Sequence, residues 1–273
     1  MYEVIFLLIL AFVWITFASV QDLKKREVAD WLNYSLIIFA LGFRFFYSVF
    51  NSHWEFLFQG LIGFGIFFAI GNLLYYGRFF AGGDAKLMIA LGVVLPLSFS
   101  FLENITYFAF FFLFFLFVGA VYGVVLGSVL ISSNYKNFKI EFFNQYRKRN
   151  KEIKIEFFFS IILIMLGFFY SIFLYFGLLF LFLPYLFISA KAVEECCFIK
   201  SIKSTLLTGG DWLYKDVKIG KKTIVAKWDG LSNDEINFLK KHKKNVLIKQ
   251  GIPFVPVFWI SFLVWIFYFF FWK

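Results

Sequence analysis

The sequence predicts an all-α integral membrane protein of about eight transmembrane helices, a six-helix core plus an extra hairpin, with a small α+β insertion on its cytoplasmic side. Three observations carry that expectation. Of the 273 residues, 62% are hydrophobic and the mean hydropathy is +0.80, whereas a soluble domain keeps only about half its residues apolar. The apolar runs are long enough to cross a hydrocarbon core as helices, which takes about 20 residues each. The Lys and Arg residues collect in a few connections rather than spreading along the chain.

The runs fall at 3–20, 32–50, 56–77, 84–101, 105–131, 157–190 and 252–272. The first is preceded by Met1-Tyr2, without a basic segment, and lacks a small-residue cleavage pattern. It is therefore expected to be a retained span rather than a removable signal peptide. The connections at 51–55 and 102–104 contain no Lys or Arg. By contrast, the 132–156 loop carries Lys136, Lys139, Arg147, Lys148, Arg149, Lys151 and Lys154 against Glu141, Glu152 and Glu156. The 191–251 segment carries thirteen Lys against seven acids. Basic loops stay in the cytoplasm, so both should lie inside. One crossing by 157–190 would put them on opposite sides. Its 34 residues would make a helix of about 51 Å, so two short spans turning near Tyr175-Phe176-Gly177 are expected instead. Residues 1–190 then form a membrane domain, 191–251 a basic cytoplasmic insertion, and 252–273 the last span. Both termini face outside.

Within the insertion, Val217-Lys218-Ile219 and Thr223-Ile224-Val225 flank Gly220-Lys221-Lys222, a hairpin pattern. Ser232-Asn233-Asp234-Glu235 reads as a capping box opening a helix to about Lys243. Val246-Leu247-Ile248 reads as a short strand. The formal charge of +10 raises the question of nucleic acid, but topology already explains where the cations lie, so no nucleic-acid partner is expected. The lipid bilayer is the expected surroundings, and insertion lysines near its surface would attract anionic headgroups.

Two aspartates interrupt this apolar pattern. Asp22 closes the first run and Asp84 opens the fourth. A carboxylate at the edge of a span is costly and marks a candidate functional site. Both face the cytoplasm in this topology, 62 residues apart in sequence. Two carboxylates sharing a site do not readily ionise together, so one can act as base while the other stays protonated. That arrangement suits acid–base attack on a peptide bond. The bland alternative is a pair of interfacial carboxylates capping helices or pairing with Lys24, Lys25 or Lys86. Gly82 and Gly83, before Asp84, lack Cβ atoms, permit unusual backbone angles and would let a substrate strand approach. The tripeptide recurs at Gly209-Gly210-Asp211, in a polar segment with no span following, where it reads as a turn. Cys196-Cys197 cannot supply three or four zinc ligands, and neither His53 nor His242 has partners for a metal site. No metal or other cofactor is expected. Arg44, inside an apolar run, is expected to snorkel or to pair with a carboxylate. The eight Trp read as interfacial anchors.

The motifs around the aspartates carry a resemblance. Ala18-Ser19-Val20-Gln21-Asp22-Leu23-Lys24-Lys25-Arg26-Glu27-Val28 resembles the first-aspartate motif of archaeal preflagellin and type IV prepilin peptidases. Gly82-Gly83-Asp84-Ala85-Lys86 is similar to their GxGD motif, with Ala81 at the first glycine. Gln250-Gly251-Ile252-Pro253-Phe254-Val255-Pro256 resembles the proline-marked lead-in to their last span. The similarity covers residues 1–100 and 245–270. It implies an aspartyl endopeptidase in the cell membrane, with Asp22 and Asp84 catalytic near the cytoplasmic face. Gly82 and Gly83 would lie beside the scissile bond, and the substrate would be an archaeal flagellin or pilin precursor with a short basic leader. Lys86 is a candidate for tuning Asp84. Eight spans exceed the six expected of the preflagellin enzymes. The cysteine-rich zinc segment of bacterial relatives is missing, so proteolysis without methylation is implied. From the residues alone, two other classes remain: a proton-coupled transporter using the interfacial aspartates, and a non-catalytic membrane scaffold.

Overall fold

The computed structural model describes residues 2–209, 211–220, 222–227, 230–242 and 245–271. They form two compact units: residues 1–123 with 252–273, and residues 124–251. The first contains α1 (Tyr2–Lys25), α2 (Asp30–Asn51), α3 (Trp54–Tyr76), α4 (Gly82–Val94), most of α5 (Phe101–Ser133) and α10 (Val255–Phe271). The second contains the end of α5, then α6 (Tyr135–Lys148), α7 (Asn150–Leu166), α8 (Ser171–Val193) and α9 (Asn233–Lys241), with five short strands. Among the described residues, five helical stretches are long and apolar enough to cross a bilayer: α1, α2, α3, α5 and Ser171–Phe198, with α10 a shorter apolar helix.

Lipid tails are as apolar as leucine, so helices in a membrane associate through close packing and polar contacts rather than through expulsion of water. The α3–α4 pair shows how. A Cβ on Gly92 would fall 2.7 Å from the Gly63 carbonyl oxygen, so both backbones approach only because neither residue has a side chain. Phe67 is fully buried against Gly92, and Phe111, Phe258 and Trp265 are fully buried elsewhere in the same core. Phe39, Phe46 and Phe117 point outward.

The fourth apolar run is not one helix to residue 101. Helix α4 stops at Val94, about 20 Å after it starts, because Pro96 cannot continue it. The freed carbonyls find a partner in Arg44. Its Nε donates to Val93 O at 2.9 Å, and its two terminal nitrogens donate to Val94 O, Pro96 O and, at 2.7 Å, Phe56 O. The guanidinium lies 4.3 Å from the Phe56 ring centroid. Arg44 thus neither snorkels nor pairs with a carboxylate. It is fully buried and caps a helix end, and Gly60 leaves its slot, since a Cβ there would meet Arg44 Cδ at 2.5 Å. The Trp pattern also needs correcting in part: Trp265 is fully buried, its indole donating to Tyr107 O at 3.1 Å.

The 157–190 run does break into two helices, but at Gly167–Tyr170 rather than near Tyr175-Phe176-Gly177. Gly177 lies inside α8, where a Cβ would come within 2.6 Å of Ile164 Cγ1 on α7. That glycine is a point of close helix approach, not a turn.

In the second unit, β1 (Ile199–Lys203), β5 (Asn245–Lys249) and β2 (Trp212–Leu213) form an antiparallel sheet in the order β1-β5-β2. The expected hairpin is present, β3 (Val217–Ile219) pairing with β4 (Lys222–Ile224). Its turn has Gly220 at φ 58, a left-handed angle that glycine adopts without strain. The Ser232–Glu235 capping box is formed, and α9 ends at Lys241; the expected end at Lys243 lies outside the described residues. Leu213, Ile224, Ile236, Leu239, Val246 and Ile248 form a separate small core. Glu194, just after α8, pairs with Lys191 and, at 2.5 Å, with Lys249, tying the helix end to β5. The Tyr214 hydroxyl donates to Glu195 at 2.6 Å, and chiefly through that bond it is pushed up to about 12.

Candidate active site

Asp22 sits in the last turn of α1 and is buried, 6% exposed. Its Oδ2 accepts the Val255 backbone N–H at 2.9 Å, and the Phe254 N–H also donates to the carboxylate. Those groups open α10, and the first N–H groups of any helix lack partners within it. The carboxylate therefore caps a helix 233 residues away in sequence, where the positive end of the helix dipole also attracts it. Three other contacts secure this joint. Trp259 Nε1 donates to Thr16 Oγ1 at 2.9 Å, Ser19 Oγ reaches Val255 O at 3.4 Å, and the Tyr122 hydroxyl of α5 donates to Pro253 O at 2.8 Å.

Asp84 is the third residue of α4. Its carboxylate accepts the Ala81 backbone N–H while Ala81 O accepts from Ala85 N at 3.1 Å, so the side chain closes the first turn. The end of α1 and the start of α4 are neighbours, and the charge on Asp22 is felt at Asp84. The two sequence-predicted carboxylates are thus brought into one electrostatic neighbourhood by helices far apart in the chain.

Gly82 and Gly83 do not use unusual backbone angles. Both are helical, and neither is among the positive-φ glycines Gly220 and Gly230. Their contribution is size. A Cβ on Gly83 would lie 3.4 Å from Val28 Cβ, so α4 packs its first turn against the α1–α2 connection, while a Cβ on Gly82 would meet only Tyr75, at 3.9 Å. That connection is itself folded back, with Arg26 at φ 58 and Ala29 N–H bound to Gln21 Oε1 at 3.1 Å.

Lys86 points away from Asp84. Its Nζ pairs with Asp30 Oδ1 at 2.5 Å, at the start of α2, and lies 5.9 Å from the Tyr34 ring centroid. Asp30 and Tyr122, which also feels the Asp22 charge, are two site neighbours that the sequence reading passed over. Asp30 was visible as an acid opening an apolar run. Tyr122 had no signal to separate it from the surrounding aromatic residues. Asp211, in the second Gly-Gly-Asp, accepts Thr208 N–H at 2.8 Å in a turn as expected, with Gly210 outside the described residues. Among the described residues, no three His, Cys, Asp or Glu side chains converge as a metal-binding set.

Comparison with known proteins adds independent information on this same region. Residues 9–127, which include both aspartates, match the model of the type IV leader peptidase family. A preflagellin peptidase of Methanocaldococcus jannaschii is 33% identical over 79 residues, which cover 29% of this chain and 33% of that protein. A preflagellin peptidase of Methanococcus maripaludis is 33% identical over 79 residues, covering 29% of this chain and 34% of that one. The chain spans about a third of the length of the curated relatives it matches. No solved structure gives a significant match. Residues 9–127, where both aspartates lie, are thus similar to the type IV leader peptidase family.

Proposed function

We propose that this protein is a membrane aspartyl endopeptidase that removes the short leader from archaeal flagellin or type IV pilin-like precursors, with Asp22 and Asp84 as its catalytic pair. The observation that carries the reading is the packing of α1 against α4, with Asp22 in the last turn of one and Asp84 in the first turn of the other. The similarity of the same segment to the type IV leader peptidase family supports it.

One aspartate, ionised, takes a proton from water as the oxygen attacks the scissile carbonyl carbon. The other, protonated, donates to the carbonyl oxygen. The resulting gem-diol collapses: the leaving nitrogen takes the proton now held by the first aspartate, which returns to its ionised form, while the second aspartate takes back a proton from a gem-diol hydroxyl as the C=O re-forms and the C–N bond breaks. Gly83 lets the first turn of α4 pack against Val28, and Gly82, with only Tyr75 near it, leaves backbone against which a substrate strand can lie. Asp30 and Lys86 act at one remove, tying α4 to α2 and so setting the separation of the pair. The site lies at the cytoplasmic face, where positively charged loops stay inside. Eight crossings, by α1, α2, α3, α4, α5, α7, α8 and α10, give that orientation.

Incubating purified protein in detergent with a flagellin or pilin precursor tests the reading. Release of the mature chain, with its new N-terminus fixed by mass, is expected. An intact precursor, together with pH-driven solute flux in vesicles, would favour a transporter instead.

A further inference from the structure

Helix α6 follows the apolar α5 after a single non-helical residue, Asn134 at φ −128 and ψ 34, and none of its 14 residues is buried. At 3.6 residues per turn, Phe138, Glu141, Phe142, Gln145 and Tyr146 share one face. These are its partly covered residues, and they pack toward α8 and the Glu194–Phe198 turn. The opposite face presents Lys136, Ile140, Phe143 and Arg147, with Lys139 beside them, all exposed. Ile140 is 63% and Phe143 51% exposed. The helix has one acid, Glu141, which lies on the covered side and accepts from the Asn144 and Gln145 amides. The outward face is therefore cationic and apolar at once, with no acid.

Its position along α8 is fixed by two contacts. The Arg149 guanidinium, just after α6, lies 4.4 Å from the Phe187 ring centroid. The helix also packs against the Glu194–Phe198 turn, just beyond the end of α8. Helix α6 thus lies beside the charged end of an apolar helix, not its middle. Water is a poor environment for Ile140 and Phe143, and the hydrocarbon interior is a poor one for three cations among them. The interface between the two accommodates both, with long basic side chains reaching headgroups while apolar ones enter the acyl boundary.

We propose that α6 lies in the membrane–water interface and binds anionic phospholipid headgroups, Lys136, Lys139 and Arg147 meeting the phosphates while Ile140 and Phe143 enter the acyl boundary. The segregation of charge and the continuity with α5 select a lipid surface over other anionic partners. This inference does not rest on the peptidase reading, and its test uses no activity.

The full chain, carrying Cys196→Ser, Cys197→Ser and Asn144→Cys, is labelled with an environment-sensitive fluorophore and placed in nanodiscs. One set contains phosphatidylcholine alone and another includes phosphatidylglycerol. With the anionic lipid, blue-shifted emission and strong quenching by nitroxide-labelled headgroups are expected. Substituting Lys136, Lys139 and Arg147 by Gln should raise the phosphatidylglycerol content needed for half-maximal quenching more than about tenfold, since each basic residue near an anionic surface adds to attraction. The unsubstituted face should lose quenching in about 0.5 M salt, where charges are screened. Equal emission in both lipid compositions would overturn the proposal. So would emission that shifts only when a polynucleotide or a soluble protein is added.

Discussion

At the scale of single residues, Asp22 and Asp84 are both held by backbone N–H groups at helix starts, α10 for one and α4 for the other. A carboxylate fixed by hydrogen bonds keeps one orientation toward its neighbour, which acid–base chemistry requires. The Lys86–Asp30 pair then has a distinct expected signature. Its side chains are 37% and 57% exposed, so the pair contributes about 0–1 kcal/mol to stability. Lys86→Gln should leave the melting temperature nearly unchanged while lowering kcat for precursor cleavage, with KM largely preserved, and the exchange Lys86→Asp with Asp30→Lys should recover part of kcat. A loss confined to KM, or none at all, would remove these residues from the positioning role. The aspartates were legible in the sequence because charge is rare in apolar runs and each instance stands out. The partners of Asp22 were not, since backbone N–H groups of a distant helix leave no mark of residue type. For the same reason Arg44 was visible as an anomaly, while its four carbonyl acceptors were not.

At the scale of elements, α4 is short, and its two ends are managed differently. Asp84 closes the first turn and Arg44 caps the last carbonyls. Replacing Arg44 by Met would leave several carbonyls without donors, each at a cost of about 1–3 kcal/mol. Thermal unfolding in detergent should shift down clearly, and unchanged melting would mean that the cap carries little weight. On the other unit, Glu235 is held below the usual carboxylate range, first by the Ser232 backbone N–H. A depressed folded value means that its contribution is complete above the ordinary carboxylate range and is lost as pH falls through the lowered one. Ser232→Ala should cost about 1 kcal/mol, read as faster amide exchange in α9 at neutral pH. Protection in the unchanged chain should fall on acidification. Short-range signals were the ones the sequence carried well: the capping box and the β3–β4 hairpin depend on neighbours within a few residues. Gly177 was misleading because a glycine permits both a turn and a close helix contact, and only the neighbouring helix decides. The early stop of α4 was signalled by Pro96, but an apolar run continues past it, and hydropathy does not register a broken helix.

At the scale of the whole molecule, the topology must bring both aspartates to one side. Only Phe157–Leu166 of α7 is free of charged residues, about 15 Å of helix against a hydrocarbon core of about 30 Å. The Gly167–Tyr170 turn is consequently the point on which the proposed eight crossings depend. A topology reporter fused after Phe169 should read external, and one after Lys222 cytoplasmic. Two cytoplasmic readings would make α7 and α8 a re-entrant hairpin and leave fewer crossings. Overall membrane character was legible from composition, because a bilayer demands long apolar runs whatever the fold. Which helices touch was not, because packing in lipid rests on small residues and backbone groups.

The most direct test is the rate at which purified protein shortens a flagellin or pilin precursor, followed by mass, for the unchanged chain and for Asp22→Asn, Asp84→Asn and Asp211→Asn. The first two substitutions should each reduce the rate by about 10²–10⁴-fold or more, with the helical content retained, while Asp211→Asn cleaves normally. Normal cleavage by either Asp22→Asn or Asp84→Asn would contradict the shared carboxylate pair.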